Sequence, residues 1–271
     1  MGTIFGQQVL SNQIRWGVGG IIRSKSIPLP QSALSRVLKC HNCIVSLNKI
    51  EPKSEEYKLR RVRVGTHQMD KQITLYGTGT TRSSRCRWTL LELGLDFDYV
   101  DNGSLIGTAE LKKMQPLGKL PAIIIGGESL FESTAICTYL CDLYPNKNLI
   151  ASVGSRQRAL HEQWCSFVLT EIEGYLWSSS KHKSLYPAEK RVAAVLPINT
   201  EEIIAGLAVL EDTLNETPYL TGSNFSVTDI IVGFTVNWAR SAGHLETFPV
   251  LSAYIERLHE RELCTFKQNL I

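Results

Sequence analysis

A chain of 271 residues with 43% hydrophobic and 20% charged residues has the size of one large domain or two small ones. Its composition is that of a globular protein, not a disordered one. The net charge of +3 divides into a basic segment, residues 1–68, with 11 Lys+Arg against 3 acidic residues, and an acidic remainder with 18 against 23. That excludes a basic nucleic-acid face on the folded part, and no run of about 18 apolar residues suggests a membrane span.

Residues 1–68 show no sustained apolar period. Arg, Lys and Ser are frequent through Lys49, and the first acidic residue is Glu51. This is the profile of an organelle transit peptide; equally, Met69 just before the first clear strand fits an initiator. On either reading the segment is a basic extension outside the fold, expected to be disordered. The protein is then expected in the cytoplasm, or in a mitochondrion or plastid if the transit peptide is genuine. Cys40 and Cys43 form a CxxC with no second pair and are not read as a metal site. The seven cysteines lack a regular framework, which fits a reducing compartment.

From Ile73 the pattern sharpens. Ile73–Tyr76 reads as a strand and Gly77–Thr81 as a loop. Ser83–Leu93 reads as a helix stopped by Gly94. Phe97–Val100 alternates like a strand, and Ala109–Met114 is a short helix. Pro121–Ile125 and Ser129–Phe131 flank Gly126-Gly127 as a hairpin. Ser133–Tyr144 is a helix ended by Pro145. This α/β unit spans 70–150. Strand signals then vanish, and an all-α unit is expected over 154–271. Its predicted helices are Ser155–Ser179, Pro187–Val195 closed by Pro197, Thr200–Asn215, Ser226–Ala239 and Pro249–Arg261. Ser226-Val227-Thr228-Asp229 has the form of a capping box, with Phe225 placed to staple on Ile230. Asp229 is therefore read as structural.

The order of these elements, together with several local motifs, resembles the soluble glutathione transferases of the cytosolic type, in particular the bacterial-like members that use Ser or Thr. The resemblance covers Gln72 to the C-terminus. It rests on Leu75-Tyr76-Gly77, on Ser84–Leu95, on Pro116-Leu117-Gly118-Lys119-Leu120-Pro121-Ala122, on Leu130-Phe131-Glu132-Ser133-Thr134-Ala135-Ile136, and on Phe225–Ile230. It implies a thioredoxin-like α/β N-terminal domain, an all-α helical-bundle C-terminal domain that binds a second substrate, and a homodimer.

The resemblance also assigns roles. Pro121 follows a cis bond, and Leu120 pairs like a strand with the cysteinyl part of glutathione. Ser133 holds the γ-glutamyl carboxylate at a helix N-terminus, where free N–H groups and the dipole favour an anion. Glu132 takes the ammonium side, and Lys119 reaches the glycyl carboxylate. Each has a plainer alternative: a strand-entry proline, an N-cap serine, a solvated lysine.

The chemistry needs a thiolate, and a free thiol is little ionised at neutral pH. A hydroxyl donor and the first helix's N-terminus can stabilise the anion. Counting back from Gly94, the family's Ser/Thr position falls on Thr80, with Thr81 and Ser83 within a short loop shift. The tyrosine-type position falls on Tyr76. Cys86 lacks the first cysteine of a CxxC, which disfavours a two-thiol reductase. Cys137 and Cys141, four apart on a helix, read as apolar packing. Trp164, Phe167, Tyr175 and Trp177 are candidates for core or for the second-substrate pocket. Trp177–Leu185, with Lys181, His182 and Lys183, is a candidate pocket mouth.

The leading expectation is a glutathione transferase of detoxification type, joining the glutathione thiolate to a hydrophobic electrophile. Glutathione is a co-substrate; no metal or prosthetic group and no nucleic-acid or membrane partner is expected. The alternatives are a non-catalytic or regulatory glutathione-binding protein of the same fold, and a glutathione-dependent peroxidase or reductase.

Overall fold

Apolar residues on alternate positions make Ile73–Gly77 (β2) the central strand. The computed structural model describes residues 59–62, 72–79 and 81–266. β2 pairs in parallel with Phe97–Asp101 (β3) and antiparallel with Ala122–Ile125 (β4), which forms a hairpin with Glu128–Phe131 (β5). Leu59–Val62 (β1) adds an antiparallel edge strand on β3, giving the order β1-β3-β2-β4-β5. The sequence reading counts Leu59–Val62 with the extension and misses this strand. Three arginines in four residues, Arg60-Arg61-Val62-Arg63, give no apolar alternation there, and the strand is held by backbone pairing at an exposed edge.

Ser83–Leu93 (α1) and Ser133–Leu143 (α3) pack together on one face of the sheet, over Ile73, Leu75 and Ile123. Ala109–Lys112 (α2) carries Leu111 into a smaller cluster with Val100, Leu105 and Ala122. Gly94 ends α1 as expected: it lies in the left-handed region (φ 67°), and its N–H closes back on the carbonyls of Leu90 and Leu91. The mixed sheet with its helices, followed by a wholly helical bundle, is the expected architecture.

In the helical half the predicted 155–179 helix is not one regular helix. Arg156–Phe167 (α4) and Gly174–Ser180 (α5) are joined by a π-helical segment, Val168–Glu173, and a second one, Lys181–Leu185, follows. π turns insert residues without breaking the apolar stripe, so periodicity does not reveal them. Val195–Glu216 (α6) passes close to the first π segment at Gly206, where a Cβ would stand 2.6 Å from Ile172 Cγ1 and 3.0 Å from the Glu171 carbonyl.

A second departure concerns Pro197. The expected helix ending there is reduced to a short 3₁₀ turn, Ala188–Lys190, and Pro197 lies in the first turn of α6. Proline is tolerated there because first-turn N–H groups have no intrahelical acceptor. Val227–Ser241 (α7) is buried nearly all round and packs on α1, α3, α4 and Pro249–Glu260 (α8). Its N-terminus carries the expected capping box of Ser226 and Asp229. Phe225 packs against Trp88 of α1, ring centroids 5.4 Å apart. Among the described residues no helix is long and apolar enough to cross a membrane.

Candidate functional site

Strand register gathers the sequence motifs. Tyr76 pairs with Ala122, and Ala122 pairs with Phe131. The residues just before β4 (Lys119-Leu120-Pro121), those just after β5 (Glu132-Ser133) and the end of β2 therefore share one end of the sheet. The Leu120–Pro121 bond is cis. α1 begins at this same end: Arg85 in its first turn donates Nη1 to Ser133 Oγ at 3.2 Å.

Glu132 is the sharpest local signal. It has φ 70° and ψ 111°, one of two non-glycine residues at positive φ among those described. Such a conformation costs about 1–3 kcal/mol and is held where surroundings enforce it, typically at ligand sites. It lifts the chain out of β5 directly into α3, whose N-terminus has no side-chain cap. The first-turn N–H groups of α3 therefore lack the side-chain acceptor that a cap supplies. Thr134 Oγ1, in the same turn, is buried without a hydrogen-bond partner. Ser133 is buried at the helix start, while Glu132 and Lys119 are exposed. The free N–H groups and the helix dipole make this end of α3 electropositive.

The hydroxyl candidates are placed differently from one another. Thr80 lies outside the described residues. Ser83 is fully buried. Its Oγ accepts the Thr78 N–H at 3.2 Å and lies 2.8 Å from Thr81 Oγ1, which itself donates to the Thr78 carbonyl at 2.8 Å. The Tyr99 phenol also reaches Ser83. Gly77 leaves room for this cluster, since a Cβ there would stand 2.6 Å from Ser83 Cβ. Ser83 thus spends its hydrogen bonds on the loop between β2 and α1. The Tyr76 ring packs with Met114 and Leu120 in the α2 cluster. Burial, followed by the nearby Glu110 carboxylate, raises its phenol pKa.

Leu120 is half-buried against the same cluster, and the Lys119 backbone N–H is held by Gln115 Oε1 at 2.8 Å. Cys86 is fully buried, and burial pushes its thiol pKa well up. Cys40 and Cys43 lie outside the described residues. Of the aromatic candidates, Trp164 is buried with its ring edge-on to Phe167. Trp177 instead meets Trp238 of α7, centroids 6.4 Å apart. The Arg82 guanidinium lies beside both indoles, 5.3 and 5.1 Å from their centroids. His182 accepts the Val192 N–H at 3.1 Å through Nδ1, which ties the 181–185 segment to the following loop.

Sequence reasoning misses the group beneath the site. Arg82, just before α1, and Arg85 in its first turn both pair with Glu173, which is buried at the end of the first π segment. Burial alone would raise the Glu173 carboxyl, but the two arginines outweigh it and hold the pKa at about 2. Thr235 of α7 completes the group, its Oγ1 2.6 Å from Arg85 Nη2 and 2.6 Å from Glu173 Oε2. At helical spacing Glu173 falls beside the stripe of Val168, Ile172 and Leu176, so no local signal marks it as buried.

The family model for the glutathione S-transferase N-terminal domain matches residues 75–148, and that for the C-terminal domain matches 188–257. The disulfide-bond oxidoreductase YfcG of Escherichia coli is 30% identical over 202 residues, 70% of this chain and 91% of that protein. Glutathione S-transferase U22 of Arabidopsis thaliana is 28% identical over 188 residues, 66% of this chain and 81% of that protein. Among solved structures, a glutathione transferase from Methylococcus capsulatus has a TM-score of 0.61 at 27% identity, over 71% of this chain and 95% of its own.

Proposed function

The chain belongs to the cytosolic glutathione transferase superfamily, and from that premise we propose that it is a Ser/Thr-type glutathione transferase acting on hydrophobic electrophiles. The observation that carries the reading is the convergence at one sheet end of the cis Leu120–Pro121 step, the strained Glu132 and the uncapped start of α3. Glutathione would lie along Leu120 with its γ-glutamyl carboxylate at Ser133, its ammonium at Glu132 and its glycyl carboxylate toward Lys119. The thiolate would sit at the start of α1, stabilised by the helix end and one hydroxyl. With Ser83 committed to the loop and Tyr76 packed in the α2 cluster, Thr80 is the proposed donor. The mechanism is nucleophilic attack by sulfur, aided by proximity.

Titrating bound glutathione by thiolate absorbance tests this. The expected result is a thiol pKa at least about one unit below the free value of about 8.5, restored by Thr80→Ala but not by Ser83→Ala or Tyr76→Phe. Binding with an unshifted pKa would point to a non-catalytic or regulatory binder. No binding would sink the glutathione reading.

A second reading is glutathione-dependent disulfide reduction, favoured by the oxidoreductase among the relatives. Fully buried Cys86 is a poor attacking thiol, so both electrons would come from two glutathione molecules.

We also propose a homodimer. Its support is the exposed apolar row Phe131, Tyr139 and Leu143 along β5 and α3. Beside that row is a cavity of about 330 Å³ lined by Ile125, Leu130 and Tyr139 among others. Sedimentation equilibrium should give twice the chain mass, and Tyr139→Glu should shift it to one; a wild-type monomer at micromolar concentration rejects the idea. The cytoplasm, or an organelle if residues 1–68 act as a transit peptide, is the proposed location.

A further inference from the structure

We propose that the working form of this protein begins at or upstream of Leu59. Removal of the basic segment by an organelle protease then stops short of Leu59, and a chain started at Met69 is not the native product. β1 lies ahead of Met69, yet it is a strand of the sheet. Its four residues pair antiparallel with β3 in continuous register: Leu59 with Val100, Arg60 with Tyr99, Arg61 with Asp98 and Val62 with Phe97. Val62 is half-buried and packs on the main core, to which Phe97 and Tyr99 belong. Without β1, the outward N–H and C=O groups of Phe97–Val100 would form a bare sheet edge.

The pairing is matched in charge as well as in backbone. Asp98 is 7% exposed beneath this edge. Its Oδ1 accepts from Arg61 Nε at 3.2 Å, and its Oδ2 accepts from Gln72 Nε2 at 3.1 Å. Arg61 is its one ion-pair partner among the described residues. A strand laid over β3 covers this carboxylate, and covering a charge is costly unless a cation comes with it. β1 brings that cation at the register position opposite Asp98. A slip of one residue would set Arg60 or Val62 there instead and turn Val62 away from the core. The strand also reaches its place within its own chain. β1 runs antiparallel to β3 and β3 runs parallel to β2, so the end of β1 and the start of β2 lie at one end of the sheet. They stand two strand spacings apart, about 10 Å. The roughly ten residues between Val62 and Ile73 can span up to about 33 Å.

Mass spectrometry of the N-terminus of the protein, isolated from the organism that makes it, tests this directly. The expected first residue is Leu59 or one upstream of it. A predominant form that starts anywhere downstream of Leu59, Met69 included, overturns the proposal. Hydrogen exchange on the full chain tests its physical ground. The amides by which β1 and β3 pair should exchange at least about tenfold more slowly than in an unstructured chain. Unprotected amides in β1 overturn the proposal, because the strand would then add nothing to the fold. Arg61→Glu sets two carboxylates together across the pair. It should speed exchange in both strands about fivefold and leave α7 unchanged, while Arg61→Lys should alter exchange by less than about twofold. Unchanged exchange in Arg61→Glu overturns the charge match on which the proposal rests.

Discussion

Glu173→Ala is expected to lower folding stability by about 3–5 kcal/mol at neutral pH, the range for removing one partner of a buried ion pair. Glu173 and Arg85 are both almost completely buried. Removing the carboxylate leaves Arg85 charged inside the protein with only Ser133, Thr235 and the Ile231 carbonyl around it. It also frees Arg82 from its only carboxylate among the described residues. The same group predicts a pH dependence. Folding depresses the carboxyl from its ordinary 4.5 to about 2. The native state thus holds fewer protons than the unfolded chain between those values, and stability falls as pH falls through this window. The contribution is fully present above about pH 5 and is worth about 3 kcal/mol. Urea denaturation of wild type, Glu173→Ala and Glu173→Gln at pH 7, and of wild type and Glu173→Gln down to pH 3, checks both points. The gap between them should narrow steadily below pH 5. A cost under about 1 kcal/mol for Glu173→Ala, or a gap that does not change with pH, contradicts the argument.

The position of that ion group explains why the helical half matters to a site built mostly from the sheet half. Ser133 comes from α3 and Arg85 from α1, but Arg85 is oriented by Glu173, Ile231 and Thr235 of the bundle. Trp177 and Trp238 meet over Arg82. The two halves are joined by polar contacts of fixed geometry, and the start of α3 rests on that seam through Ser133.

Much of this is legible in the sequence, for definable reasons. Alternation in Ile73–Tyr76 and Phe97–Val100, Gly94 as a helix stop, and Gly126-Gly127 between two strands are local signals with local causes, and the structure places all of them as expected. The capping box at Ser226 is likewise a four-residue pattern. What is lost depends on distant partners. Leu59–Val62 is a strand because β3 offers an edge, not because its own residues alternate. The π segments keep an apolar stripe while shifting its phase, so Glu173 reads as one more helix-surface acid until its partners 88 and 91 residues away are seen. The same holds for Ser83. By spacing it is a candidate donor, and only Thr78, Thr81 and Tyr99 around it show that its hydroxyl is already occupied.

Asp229→Ala is expected to be nearly as damaging, at about 3–4 kcal/mol, through a different physical cause. The carboxylate is fully buried. Oδ1 accepts the Leu220 N–H at 3.1 Å and the Tyr254 hydroxyl at 3.0 Å, and Oδ2 accepts the Ser226 N–H at 2.9 Å and its hydroxyl at 3.0 Å. One side chain thus satisfies the chain before α7, the N-cap of α7, and a tyrosine from α8. Alanine leaves two buried N–H groups without that acceptor and the Tyr254 phenol with only the backbone carbonyl of residue 229, at 3.5 Å. An N-cap alone is worth about 1 kcal/mol, and each buried unsatisfied group costs about 1–3 kcal/mol, less when they relax together. The Asp229→Asn substitution would restore one acceptor but turn an amide donor toward Leu220 or Ser226, so it should recover at most about half of the loss. For a domain of roughly 200 residues, 3–4 kcal/mol corresponds to a fall in Tm of about 6–16 °C. A drop of less than about 3 °C for Asp229→Ala would show that the helix start tolerates the loss. The damage should also reach the site. Ile231 and Thr235, which hold Arg85, lie in the first three turns of the helix that Asp229 starts. Fraying from Ser226 would release the guanidinium, and glutathione affinity should fall in Asp229→Ala at temperatures where the variant is still folded.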